Sequence, residues 1–269
     1  MPSIPYWHVD AFSDQPFGGN QAAVMLLERW LPDKDLQAIA EENSFAETAF
    51  LLKDASGAAD FVLRWFAPAA EVALCGHATL ASGHVVLSRA KDFGVGDEVT
   101  FRTRKSGVLE VRRAESGYEL SLPAIPTEAS AWPEAVSLIG AEPQEVWRSA
   151  DRHGIYLYES EAQLRALDPD LRGLKALGTD QFICTAPGDR SDIVSRVFVP
   201  GAGIDEDSVT GSAHAALAPF WAARLGRDSF TAHQASARGG DLTLRLEDDR
   251  VWLGGPCVTV VEGKFYLSG

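Results

Sequence analysis

Apolar and polar positions alternate loosely from Ile4 to Phe12, a run rich in β-formers, and this predicts a first strand. A second follows at Asn20–Leu27, after the loop Ser13-Asp-Gln-Pro-Phe-Gly-Gly19. Pro32 and Asp33 start a helix that runs to about Glu42, with Leu36, Ile39 and Ala40 on one face. Strands are predicted at Glu47–Leu52 and Asp60–Phe66, then at Glu98–Thr103, Val108–Arg113 and Tyr118–Leu122. Pro123-Ala-Ile-Pro126 reads as a stiff linker. Beyond it come a helix at Pro133–Ile139, strands at Glu145–Ser149 and Ile155–Glu159, and two short helices between Glu161 and Leu177. Further strands are predicted at Gln181–Thr185, Ile193–Val199, Ser229–Gln234, Leu242–Leu246, Val251–Leu253, Val258–Val261 and Lys264–Leu267.

Two helical segments break the usual pattern. Gly76–Ala90 carries a fixed charge only at Arg89, and Gly211–Arg224 carries none before Arg224. A helix with no charged face for three turns is buried all round. Its first N–H groups still lack intrahelical partners, and together with the positive end of the dipole they attract anions. The two segments match: Gly76-His77-Ala78 answers to Gly211-Ser212-Ala213, and Glu71 precedes the first as Asp205-Glu206-Asp207 precedes the second, in what reads as an acidic loop. The second copy lies half a chain length after the first. A duplicated domain and an accidental likeness of two Ala-rich core helices both meet this spacing. The duplicated reading is an α+β fold of two pseudo-symmetric halves, each a mostly antiparallel curled sheet or barrel around a buried central helix. The halves are expected at 1–123, with central helix 76–90, and 127–269, with central helix 211–224; the last strand is allowed to cross back to the first half.

Composition narrows the function. The chain has 269 residues, 46% of them apolar, so it can bury a large core. A formal charge of −14 argues against nucleic acid or an anionic membrane as partner. A small anionic substrate stays compatible, because a helix start acts locally. No apolar run approaches the ~18 residues of a membrane span, and the first ten residues show no signal-peptide pattern, so a cytoplasmic location is expected. Cys75, Cys184 and Cys257 are too few and too scattered for a disulfide framework or a zinc ribbon.

No phosphate loop, dinucleotide fingerprint, His-Glu-x-x-His or nucleophile elbow occurs, and His77 and His84 are too far apart on one helix for an i,i+4 metal pair. What remains suits proton transfer. Glu47 opens a strand among Phe45, Ala46, Phe50 and Leu51, where desolvation is expected to raise its pKa; a plain exposed strand-end Glu fits the same pattern. Asp207 stands three residues before Thr210 as an acid or as a helix cap. His77 is a proton shuttle or a satisfied core histidine. Ser212 binds a substrate oxygen or its own backbone.

Several motifs, in order along nearly the whole chain, resemble the PhzF family of phenazine-biosynthesis-like proteins. They are Asp10-Ala-Phe with Phe17-Gly-Gly-Asn20, Ser44-Phe-Ala-Glu-Thr-Ala-Phe50, Arg64-Trp-Phe-Ala-Pro-Ala-Ala-Glu71 leading to Cys75-Gly-His-Ala-Thr79, and Glu206-Asp-Ser-Val-Thr-Gly-Ser-Ala-His214. The resemblance implies the diaminopimelate-epimerase-like fold, with an active site in the cleft between two halves, and a cofactor- and metal-independent homodimeric isomerase. It implies catalytic roles for Glu47, His77, Asp207 and Ser212, and substrate-binding roles for Asn20, Cys75, Gly76, Thr210 and Gly211. Its characterised member isomerises dihydro-3-hydroxyanthranilate by a proton shift. Gln21, Ala67 and Ser208 depart from the family pattern at positions that bear on the substrate rather than on the proton carriers. Related epimerases and racemases place a thiol before each helix-start glycine; here Cys75 precedes Gly76 but Thr210 precedes Gly211, which disfavours a two-thiol racemase. Three readings follow: an isomerase moving a proton between carbons of a small carboxylate through Glu47, an epimerase or racemase using Cys75, and a non-catalytic small-molecule-binding protein.

Overall fold

The computed structural model describes residues 3–150 and 152–267, so the outermost ends of the expected halves, and residue 151, lie outside the described residues. In chain order the first elements are β1 (Ser3–Ala11), β2 (Asn20–Leu27), α1 (Asp33–Asn43), β3 (Glu47–Lys53), β4 (Phe61–Phe66), β5 (Glu71–Val72), α2 (Gly76–Ser88), α3 (Ala90–Phe93), β6 (Glu98–Arg102), β7 (Val108–Ala114) and β8 (Gly117–Pro123). There follow β9 (Glu128–Ala129), α4 (Pro133–Ile139), β10 (Glu145–Arg148), β11 (His153–Leu157), α5 (Glu161–Arg165), α6 (Leu171–Ala176), β12 (Gln181–Pro187) and β13 (Ile193–Val199). The chain closes with β14 (Ile204–Asp207), α7 (Gly211–Leu225), β15 (Ser229–Gln234), β16 (Gly240–Glu247), β17 (Arg250–Gly255) and β18 (Cys257–Tyr266). Two compact units result: one runs through Ser121 and includes everything from Gly254 on, and the other is Leu122–Leu253.

In the first unit the strands pair in the order β18-β1-β2-β3-β4-β6-β7-β8. Parallel pairing occurs at β2–β3 and β4–β6, where a helix supplies the long crossover that parallel neighbours need. The sheet curls around α2, which packs on β1, β2, β3, β6, β7 and β18. In the second unit the order is β9-β10-β11-β12-β13-β15-β16, again with two parallel pairs, β11–β12 and β13–β15. Helices α5 and α6 bridge one and α7 the other. The same pairing scheme therefore occurs twice.

The repeat extends to side chains. The short strand β5 pairs on β4, and β14 on β13, each directly before the buried helix. Arg64 on β4 grips Glu71 through Nε and Nη2 at 2.7 and 2.8 Å; Arg196 on β13 grips Glu206 in the same way at 2.8 and 3.0 Å. Each guanidinium lies over the Phe two residues on, 4.9 Å from the ring centre of Phe66 or Phe198. A planar fork on a carboxylate fixes both distance and orientation.

Some expectations change. The acidic loop at Asp205–Asp207 is strand β14, because the Arg196 fork and pairing with β13 override a sequence with no alternation. The first central helix ends at Ser88 rather than Ala90, broken at Arg89, and a separate turn, α3, follows. The second ends at Leu225, capped by Gly226 in the left-handed region. The last two predicted strands are one, β18, paired along β1. Pro123-Ala-Ile-Pro126 is no free tether: the Ala124 N–H donates to Asp249 and that of Ile125 to Ala215. Among the described residues no helix is long and apolar enough to cross a membrane.

Gly83 shows how tightly α2 is held. A Cβ there would stand 2.3 Å from Val111 Cγ1 on β7. Alanine normally favours a helix by about 1 kcal/mol over glycine, but overpacking against a buried, stiff valine costs about 1–3 kcal/mol. Gly83→Ala is therefore expected to lower the stability measured by urea denaturation, whereas an exposed helical glycine would respond the other way.

Candidate active site

Two parallel strands begin at the same edge, so Asn20 at the head of β2 and Glu47 at the head of β3 are neighbours, with Ala22 paired to Glu47. The start of α2 meets them there. His77 Nε2 lies 3.1 Å from Glu47 Oε2, with the side chains only 5% and 13% exposed. His77 Nδ1 is 3.2 Å from the Asn20 amide, and the Cys75 sulfur is 3.5 Å from Nδ1 and 3.9 Å from Nε2. The first turn of α2 has neither an acidic residue nor a side-chain cap of its own, so its N–H groups keep the positive end of the dipole directed at this cluster.

These contacts set the charges. Burial pushes the Glu47 carboxyl up, but the hydrogen bond and charge of His77 outweigh it and leave the pKa below the ordinary 4.5. The sequence expectation of a raised Glu47 is thus corrected: desolvation is present, and an unforeseen imidazolium partner overrides it. Burial pushes His77 down, yet the thiol of Cys75 and the carboxylate of Glu47 hold it well above 6.5. Near neutral pH the pair is carboxylate and imidazolium. An imidazolium donates from both nitrogens, so in that state Asn20 must turn its amide oxygen to Nδ1; the neutral ring takes the amide N–H instead. Burial pushes Cys75 up to about 11, with Glu47 adding to it, so this thiol keeps its proton.

Glu47, Cys75 and His77 offer three metal-capable atoms within 4.8 Å of one another. The sulfur is nearly equidistant from both ring nitrogens, which puts it over the face of the imidazole. A tetrahedral ion needs its ligands along nitrogen lone pairs. The arrangement fits a stacked thiol, and coordination would require ring and thiol to turn.

The second unit builds a different cluster around the start of α7. Asp207 Oδ2 accepts from Thr210 Oγ1 at 2.6 Å. The buried amide of Gln234 accepts from the Thr210 N–H at 2.8 Å and donates to the Asp207 carbonyl at 2.7 Å. Asp207 is the last residue of β14 and is tied to the Thr210 side chain. Ser212 bonds not to its own backbone but to Gln181: the amide Nε2 donates to Oγ at 3.0 Å, and Oγ reaches Oε1 at 3.2 Å.

Asn20, Glu47, Cys75, Gly76 and His77 thus form one group inside the first unit, and Asp207, Thr210, Gly211 and Ser212 another inside the second. Gln181 and Gln234 escaped the sequence reading. Only the head-of-strand position that Gln181 shares with Glu47 could have marked it, and Gln234 carried no signal. His84, considered as a metal ligand, sits between Tyr118 and Thr259, and burial pushes its pKa down to about 4.

Comparison with known proteins gives a consistent result. The family model described as phenazine biosynthesis-like protein matches residues 9–263. An uncharacterized isomerase of Pseudomonas aeruginosa is 44% identical, with 98% of this chain and 99% of the relative covered. The crystal structure of a PhzF-family phenazine biosynthesis protein from Enterococcus faecalis superposes with a TM-score of 0.90 at 40% identity, covering 99% of this chain and all of that one. A predicted epimerase of Pseudomonas aeruginosa, 23% identical over 98% of this chain and 100% of its own, shares the fold with a TM-score of 0.73.

The Glu47–His77 pair makes a signed prediction. A lowered Glu47 stabilises the fold above its ordinary pKa of 4.5, and that contribution is lost as pH falls through the folded value. A raised His77 stabilises below its ordinary 6.5, and that contribution is lost as pH rises through the folded value. The stabilisation should be greatest between those two ordinary values. In NMR titrations His77 should titrate above the ordinary histidine range in the wild type. In Glu47→Gln it should titrate lower than in the wild type, because one of the two groups that oppose burial is then gone.

Proposed function

The chain belongs to the phenazine biosynthesis-like (PhzF) family, and on that premise we propose that it is an isomerase moving a proton between carbons of a small carboxylate substrate, with Glu47 taking the proton and returning it. The carrying observation is the buried contact of Glu47 with His77 at 3.1 Å. An ionised carboxylate with a single charged partner can accept a proton from carbon. Once neutral, it stands beside an imidazolium that favours its ionised form, which drives the proton back out. The imidazolium and the N–H groups at the start of α2 stabilise the negative charge that builds up on the substrate in between. The same groups make a local anion site on a chain whose formal charge is −14.

A relative named an isomerase supports the reaction class. The rival in which Cys75 acts as base has less physical support. Its thiol holds its proton up to about 11, and the matching position at the second helix start is Thr210, which has no usable pKa. A binding protein without turnover is the remaining rival. None of the proposed steps calls on a metal or cofactor.

The test is a screen of small carboxylates, cyclic dienes and amino acids in D2O, with deuterium incorporation read by NMR. Wild type should label at least one class at carbon. Glu47→Gln should reduce the rate by about 10²–10⁴-fold, the usual worth of a general acid–base group, with its fold intact by circular dichroism. Ligand binding without labelling would favour the binding protein, and full turnover by Glu47→Gln would remove Glu47 from its role.

A further inference from the structure

The repeated pairing scheme aligns the two units residue by residue. Ala22 pairs with Glu47 across β2–β3 as His153 pairs with Gln181 across β11–β12. Three residues further along, Phe50 pairs with Arg64 and Cys184 with Arg196, the two arginines of the carboxylate forks. At the helices, Cys75-Gly76-His77 corresponds to Thr210-Gly211-Ser212. Gln181 is thus the counterpart of Glu47, and Ser212 of His77. Where the first unit pairs a carboxylate with an imidazole, the second pairs an amide with a hydroxyl.

We propose that Gln181 is a positioning residue that holds the Ser212 hydroxyl free to donate to, or accept from, a substrate oxygen without itself adding a charge beside it. The amide offers its N–H to Oγ at 3.0 Å and its carbonyl at 3.2 Å. If Ser212 donates to the substrate, Gln181 donates to Ser212; if Ser212 accepts, Gln181 accepts from it. No other common side chain of this shape supplies both polarities without titrating. The backbone holds Gln181 in register: its N–H donates at 2.9 Å to the carbonyl of Arg152, a non-glycine residue kept at φ 65. A bulky side chain in that region is a strained arrangement sustained by its surroundings. The neutrality of the amide matters as well, since a carboxylate beside Ser212, in addition to the carboxyl group of Asp207, would repel an anionic substrate. The inference rests on the proton-transfer reading for its substrate, though not for the pair itself.

Two experiments separate these layers. A double-mutant cycle of Gln181→Leu, Ser212→Ala and the double variant, followed by urea denaturation without ligand, should be non-additive; additivity overturns the pairing whatever the substrate. The second compares Gln181→Glu with Gln181→Leu in the exchange assay, on the carboxylate that wild type labels best. Above pH 7 an ionised glutamate can only accept, so it captures the Ser212 proton and adds charge. Gln181→Glu should then lose at least tenfold in kcat/KM, more than Gln181→Leu, and recover as the pH is lowered toward 5. A structural role predicts the reverse order, with the isosteric glutamate the milder change and no pH recovery, and that result overturns the proposal. A wild type that labels nothing refutes the proton-transfer reading and the substrate role of Gln181 together, while the cycle still reports on the pair.

Discussion

A carboxylate and an imidazole cannot both be taken out of water unless each stabilises the charge of the other, and the first unit is arranged so that Glu47 and His77 do so. The carboxylate comes from the head of a strand and the ring from the first turn of a helix with no charged face. Their 3.1 Å contact exists because β2 and β3 run parallel and because the sheet closes around α2. Removing either partner leaves a buried group with an unfavourable charge, so the fold and the candidate chemistry depend on the same contact.

The frame that delivers this pair is used twice. Each buried helix is preceded by a short strand pinned by an arginine–glutamate fork, and the forks match in atoms and distances. Their chemistry is structural: both arginines also lie over a phenylalanine ring. What differs is the content of the frame. One copy pairs a carboxylate with an imidazole and the other an amide with a hydroxyl, so a duplicated scaffold has become asymmetric at these matching positions while remaining symmetric in what holds it together.

Much of this was legible in the sequence. The two charge-free helices, most of the strands and the choice of Glu47, His77 and Ser212 as candidates followed from patterning and motif resemblance. The protonation state of Glu47 did not, because apolar neighbours are visible in sequence but an imidazole thirty residues away is not. Strand β14 was hidden because its order comes from the grip of Arg196 on Glu206 and not from alternation. Gln181 was hidden because a lone glutamine at a strand head has meaning only once the register equates it with Glu47.

Both units solve one further problem in the same way. A proton carrier must meet its partner's hydrogen-bonding needs before and after transfer. In the first unit the Asn20 amide nitrogen stands against His77 Nδ1, and a carboxamide carries both the donor a neutral ring needs and the acceptor an imidazolium needs. In the second, the Gln181 amide offers both polarities to Ser212 at once. A carboxamide donates from one atom and accepts at another without changing charge, so it can follow a change in its neighbour without titrating. One such amide therefore stands beside each helix start, next to an ionisable ring in the first unit and next to a hydroxyl in the second.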